Sequence, residues 1–154
     1  MTSSTEGTTT TSGSPVNWSE SLRTPILWGV AVGVLQAFSP FGIWWLKPSF
    51  VWAIGLVVIA PVYIGLAVSD GRPVVVAVEI GVASVFIVIA AVAVTASPWL
   101  VVIGLVGHGL KDLWQYRTRF VANTRWWPPF CAVVDAVAAA LIAVLLIIGV
   151  DFYG

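Results

Sequence analysis

With 154 residues, 59% of them apolar and 9% charged, and a mean hydropathy of +1.00, the chain lacks the polar surface of a soluble globule, in which about a quarter of residues are charged. Seven basic and seven acidic residues leave no net charge, which removes any global electrostatic argument for nucleic acid or an acidic partner. The single Cys131 excludes an intramolecular disulfide and a cysteine-rich metal site, and the single His108 excludes multi-histidine metal or haem ligation within one chain. An all-α, polytopic membrane protein is expected.

In chain order, residues 1–23 are rich in Thr, Ser and Gly and show no apolar period. Such a segment cannot bury enough surface to offset its ordering entropy, so a disordered cytoplasmic tail is expected there, followed by a transmembrane domain over 24–154. A cleaved signal peptide does not fit, because its basic region would lie directly before a short apolar core. Five apolar runs follow, at 25–46, 50–69, 73–96, 98–117 and 128–150, each near the roughly 20 residues that span a bilayer core. They are too long and too weakly alternating for barrel strands, which predicts a bundle of five transmembrane helices. Ser39-Pro40 is a candidate kink or early end for the first.

Orientation follows from the basic residues. Arg23, Arg72, Arg117, Arg119 and Arg125 fall on one side, with Lys111 placed to snorkel toward it, and only Lys47 falls on the other. The positive-inside rule puts the N-terminus in the cytoplasm and the C-terminus outside, in the cell membrane. Trp28, Trp114, Trp126 and Trp127 fit one aromatic belt and Trp44, Trp45, Trp52 and Trp99 the other.

Ionisable groups inside the runs can then be placed by depth. At 1.5 Å per residue, Glu79 lies roughly 9 Å in from Pro73, Asp135 roughly 10 Å in from Pro128 and Asp112 roughly 8 Å in from Arg117, with His108 one turn deeper. Tyr63, roughly 10 Å in from Asp70, reaches the same layer. A charge at the bilayer centre costs about 2.5–3.5 kcal/mol even on lenient scales, so these groups are expected to face inward and partner one another. His108, Asp112, Gln115 and Arg119 form one stripe at i, i+4, i+7 and i+11. Gly104, Gly107 and Gly109 leave room around its deep end.

The candidate catalytic residues are therefore His108, Asp112, Glu79 and Asp135, with Tyr63, Gln115 and Trp114 as substrate contacts. An imidazole beside buried carboxyls suits acid/base chemistry on a lipophilic small molecule: isomerisation, cyclisation or epoxide opening. The same set could hold a divalent metal, although its spacing matches no metal motif and no cofactor is required. A proton path is weaker, since only Gln36 and Ser84 continue it outward. Structural readings stand beside these. His108 and Asp112 can lock two helices, Asp135 can pair with Lys111 or Arg125, and Glu79 can pair with Arg72. Arg117, Arg119 and Arg125 serve topology, with anionic lipid contact as a secondary role. Gly29 and Gly33 offer a small-xxx-small face for helix packing or a homo-oligomer, and Cys131 reads as packing rather than nucleophile.

HGLKD, residues 108–112, with WWPPFCAVVD, residues 126–135, resembles the signature of small bacterial integral membrane proteins in which a His-Gly-x-x-Asp helix precedes a Trp-Pro-Pro, Cys and Asp helix. The resemblance covers about the last third of the chain and implies that His108, Asp112 and Asp135 belong together; it implies no activity. More loosely, a His-x-x-x-acid pair in a five-helix membrane bundle is similar to sterol isomerase-like proteins, which implies a cavity able to handle a carbocation. Two functional classes result: a membrane-embedded acid/base enzyme whose polar cavity faces the cytoplasm, and a noncatalytic small membrane subunit that binds a lipid or a protein partner and whose polar cluster is structural.

Overall fold

The computed structural model describes residues 18–122 and 125–150, with side chains from residue 22 onward. Six helices occur among these residues, and no strand: α1 (Trp18–Gly42), α2 (Pro48–Ile59), α3 (Val62–Asp70), α4 (Pro73–Thr95), α5 (Trp99–Thr118) and α6 (Trp127–Ile147). The tail expected over 1–23 lies outside the described residues as far as 17. From Trp18 the chain is already helical, so the boundary placed after residue 23 falls inside α1. A helix propagates at little cost once nucleated, and nothing between Trp18 and Arg23 breaks it.

Prolines set the internal divisions. Pro40 cannot donate to the carbonyl of Gln36, and its ring also crowds this turn. The Ser39 hydroxyl donates to Gln36 O instead, at 2.7 Å, and Trp52 Nε1 donates to Ala37 O at 2.9 Å. The helix stops at Gly42, four residues short of the expected end at 46. Trp52 is thus corrected from an interfacial anchor to a core residue, 1% exposed, that ties α2 to the bend in α1. Trp28, Trp44, Trp45 and Trp99 are exposed, as an interface requires. Pro61 splits the second run into α2 and α3, a break not expected from the sequence, because it removes the amide that would bond Val57. The offset leaves Tyr63 fully buried.

Four segments, Leu22–Gly42, Pro48–Asp70, Pro73–Thr95 and Trp127–Ile147, are long and apolar enough to cross a membrane, which makes this a multi-pass membrane protein. Helix α5 has the length but not the composition, because it carries His108, Lys111, Asp112, Gln115 and Arg117. Its faces are inverted relative to a soluble helix. Ile103, Val106, Leu110 and Leu113 point outward, while His108, Asp112 and Gln115 are buried. Lipid tails are as apolar as leucine, so such a helix loses nothing by exposing its oily face and hides its polar one.

The helices close a ring: α1 packs on α6, α6 on α5, α5 on α4, α4 on α2 and α3, and α2 on both α5 and α1. Gly29 and Gly33 bring α1 onto α6, where added Cβ atoms would lie 2.8 Å from Val133 Cβ and 2.8 Å from Val134 O. That small-residue face is therefore occupied within one chain. We expect Gly33→Leu to destabilise the protein by about 1–3 kcal/mol through overpacking against backbone, as read by thermal unfolding in detergent. Gly55→Ala is the comparison, since the atoms nearest its methyl belong to the flexible Gln36 side chain, which can give way, rather than to backbone, and a smaller loss than for Gly33→Leu is expected.

Candidate functional site

One end of the ring is an apolar core of Trp52, Leu56, Phe86, Val101, Leu105 and Ile142. Toward the turns at 70–72 and 118–122 the interior becomes polar, in two layers of different character. The five polar groups expected to face inward, Glu79, His108, Asp112, Gln115 and Asp135, are all buried.

In the deeper layer, His108 Nδ1 lies 2.8 Å from Asp135 Oδ2 and 3.4 Å from Asp112 Oδ2. Gly109 allows this approach: a Cβ there would stand 3.2 Å from Asp135 Cβ and 3.6 Å from Ala132 O. Phe86 packs edge-on to the imidazole, with ring centroids 5.0 Å apart, and Tyr63 stands beyond it at 6.4 Å. The layer is short of partners. His108 Nε2, both oxygens of Asp112, Asp135 Oδ1 and the hydroxyl of Tyr63, which lies in reach of Asp112, are buried without a hydrogen bond among the described residues. Each such atom, if left unmet, ordinarily costs about 1–3 kcal/mol, more if charged, and in native folds such atoms are met by an ordered water or an ion or belong to a reactive site.

The upper layer is saturated. Glu79 Oε2 accepts from Lys111 Nζ at 2.5 Å and Oε1 from Gln115 Nε2 at 2.5 Å, while Gln115 Oε1 accepts from the amide of Val121 at 3.1 Å. Lys111 Nζ also lies 3.5 Å above the Tyr63 ring, a cation–π contact. Two expectations are corrected here. Lys111 turns into the bundle rather than snorkelling to the surface, and Glu79 pairs with Lys111 rather than with Arg72. The inward partner expected of Lys111 was Asp135, and the partner found is Glu79; the signal for it was the position of Lys111 four residues before Gln115, on the same helix face.

Arg72 instead holds the turns together. Its Nε and Nη2 donate to Asp70 at 2.6 and 2.7 Å, and Nη2 also donates to Phe120 O at 2.5 Å. Asp70 Oδ2 in turn accepts from the amide of Ala122 at 2.6 Å. The Asp70 carboxylate holds the Arg72 guanidinium above its ordinary pKa. The polar stripe of α5 ends at Gln115, because the helix stops at Thr118 and Arg119 is its left-handed cap. Trp114 is 47% exposed and packs at a tilt against Phe120, with ring centroids 5.3 Å apart, away from the buried layers. The structure thus brings together His108, Asp112 and Asp135 with Tyr63, assigns Glu79 and Gln115 to a separate ion-paired layer, and leaves Trp114 on the outside.

The His108, Asp112 and Asp135 donor atoms all lie within 4.8 Å of one another, so they could hold a metal ion, although they also pair among themselves. The charge count sharpens this: neutral imidazole with two carboxylates carries −2, and two protons or one divalent cation would neutralise it. An apolar cleft of about 400 Å³ opens between α1, α2, α3 and α6, lined by Val32, Leu35, Gln36, Ile54, Val58 and Phe130 among others. Its wall includes the buried Cys131. Cys131 thus lies on the cleft wall one helical turn before Asp135 on α6. These features define a multi-pass α-helical membrane protein with an interior polar site. The chain matches no protein-family model, no curated protein and no solved structure.

Proposed function

We propose that the protein is a membrane-embedded enzyme performing acid/base chemistry, such as isomerisation, cyclisation or epoxide opening, on a lipophilic small molecule. The observation that carries this reading is the buried and incompletely bonded group of His108, Asp112 and Asp135 beside the apolar cleft. Asp135 accepts the Nδ1 proton of His108 and so fixes the tautomer that leaves Nε2 to take up or give a proton. Asp112, with both oxygens unbonded, is the complementary acid or base, and the Tyr63 hydroxyl is placed to donate to it or to a substrate oxygen. One group protonates the substrate and the other removes a proton, so each turnover restores the charge of the site. The same donors could instead present a divalent metal. The grouping of His108, Asp112 and Asp135 follows the His-Gly-x-x-Asp resemblance.

In this reading α5 also crosses the membrane, as the fourth of five spans in chain order, the N-terminus is cytoplasmic, the C-terminus is outside and the membrane is the cell membrane. Support comes from the oily outer face of α5 and from the Arg72 contact with Phe120 O, which joins the two arginine-bearing turns at one end of the bundle. The polar layers lie below that cytoplasmic end. The noncatalytic alternative, a small membrane subunit, is favoured only for Glu79, whose layer is fully paired.

The test is mass spectrometry of lipid extracted from the full-length protein purified in native lipid. We expect one lipophilic species enriched over bulk lipid in the wild type and replaced by its unprocessed form in His108→Gln, with the unfolding temperature retained. Extracts that match bulk lipid in both proteins would sink the enzyme reading.

A further inference from the structure

The apolar cleft between α1, α2, α3 and α6 holds two polar atoms that helix packing leaves unmet. Gln36 Nε2 and Trp127 Nε1 are buried without a hydrogen bond among the described residues, and both residues line the cleft. An amide nitrogen and an indole nitrogen can only donate. The Ser39 hydroxyl, also on the wall, already donates to Gln36 O, and no charged side chain lines the cleft among the described residues. The walls therefore suit an apolar body, and the two nitrogens suit acceptor oxygens.

The donors stand far apart along the cleft. Helices α1 and α6 run parallel, with Gly29 against Phe130 and Val133 and Gly33 against Val134 and Val137. Gln36 lies about one turn beyond Gly33 and Trp127 about two turns before Val134, a separation of roughly 15 Å along the helices. Their neighbours agree. The Gln36 amide fills the space that Gly55 leaves within α2, whereas Trp127 packs against the cluster of Tyr63, Ala67, Val75 and Val121 toward the turns. Both side chains are half-buried rather than locked in the core, so a small rotation turns either N–H into the cleft.

A lipid acyl chain fills such a space but offers no acceptor, and the bilayer core supplies no water in its place. A charged headgroup would find no counter-charge on this wall. The volume of about 400 Å³ falls in the range of small-molecule sites, where a few polar groups orient an otherwise apolar ligand. We propose that the cleft binds an elongated lipophilic molecule with an uncharged acceptor oxygen, a carbonyl, ether or epoxide, toward each end, held by Gln36 at one end and Trp127 at the other. Identifying this molecule with the substrate rests on the acid/base reading; its binding at the cleft does not.

The experiment uses the full-length protein in phosphatidylcholine nanodiscs and three probes that share one carbon chain: tetradecane with a ketone at both penultimate carbons, the same chain with one ketone, and tetradecane itself. Affinities are expressed per mole fraction in the bilayer, which removes differences in partitioning. Each hydrogen bond should contribute roughly tenfold, so the diketone binds most tightly and the alkane least. Trp127→Phe and Gln36→Met keep most of the apolar volume and remove one donor each, and each should lower diketone binding to about the level of the monoketone. Unchanged tetradecane binding in both variants separates a lost hydrogen bond from a damaged cleft. The indole N–H resonance of Trp127, assigned by its loss in Trp127→Phe, should move downfield with the diketone and stay in place with tetradecane. The proposal is overturned if the three probes bind the wild type alike, or if the double variant keeps the wild-type preference for the diketone. A diketone preference in a protein whose lipid extract matches bulk lipid would remove the enzyme reading and leave this site standing; an enriched species without that preference would do the reverse.

Discussion

Lys111→Ala is expected to lower the stability of the bundle by about 3 kcal/mol, the largest loss predicted for any single side chain in the polar interior. Removing one member of a buried ion pair costs about 3–5 kcal/mol because the partner charge stays behind, and Glu79 is 1% exposed with Lys111 as its only cationic partner among its described hydrogen bonds. The lower end of that range applies because the Lys111 side chain retains 12% of its exposure, so water screens part of the pair. The double substitution Lys111→Met with Glu79→Gln should recover most of the loss, since it removes both charges and nearly preserves volume. Reversible unfolding in mixed micelles, followed by tryptophan fluorescence, measures both proteins. A single substitution that unfolds like the wild type would show that Glu79 is not held by Lys111, and the distinction between a saturated and an unsaturated layer would fall with it.

Asp112→Asn should have the opposite sign. Both oxygens of Asp112 are buried without a hydrogen bond, and a second carboxylate shares the same imidazole nitrogen. Neutralising one of two like charges around His108 is expected to leave the fold unchanged or to stabilise it by about 0.5–2 kcal/mol, the usual gain when a strained functional group is replaced. Turnover of the lipophilic molecule identified in the extract should fall by about 10²–10⁴, the contribution of one general acid or base. Unfolding and turnover measured on the same preparation give the two values. If Asp112→Asn instead unfolds the protein as Lys111→Ala does, Asp112 is a structural partner of His108 and the acid/base role is lost.

The contrast between these layers also bears on how a lipophilic molecule would reach the site. The cleft between α1, α2, α3 and α6 is open to the side of the bundle, and its wall of valine, leucine and isoleucine is indistinguishable in polarity from lipid. Gln36 and Trp127 are exceptions: the amide nitrogen of one and the indole nitrogen of the other are buried without a partner among the described residues at the cleft, donors that a hydroxyl or carbonyl of an otherwise apolar molecule could satisfy. Cys131, small and buried, stands where that molecule would meet the carboxylates.

Much of this protein could be read without coordinates. Composition indicated a membrane protein, because a chain with 9% charged residues cannot cover a water-facing globule, and the length of its apolar runs required helices rather than barrel strands. The depth of Glu79, His108, Asp112 and Asp135 followed from helical rise, and their burial followed from the cost of charge in lipid, since both depend only on spacing along one helix. The inward stripe of α5 was legible for the same reason. Pairing across helices was not. Whether Glu79 met Arg72 or Lys111, and whether it joined His108 at all, depended on the rotation of α4 against α5, which no periodicity within either helix encodes. The break at Pro61 was written in the sequence but outweighed there by an unbroken apolar run, and Trp52 looked interfacial although its indole bonds the Ala37 carbonyl on α1. Sequence determined which residues had to be hidden from lipid; tertiary structure decided which of them found partners, because a hydrogen bond is satisfied only by an atom on the neighbouring helix at the right height and angle.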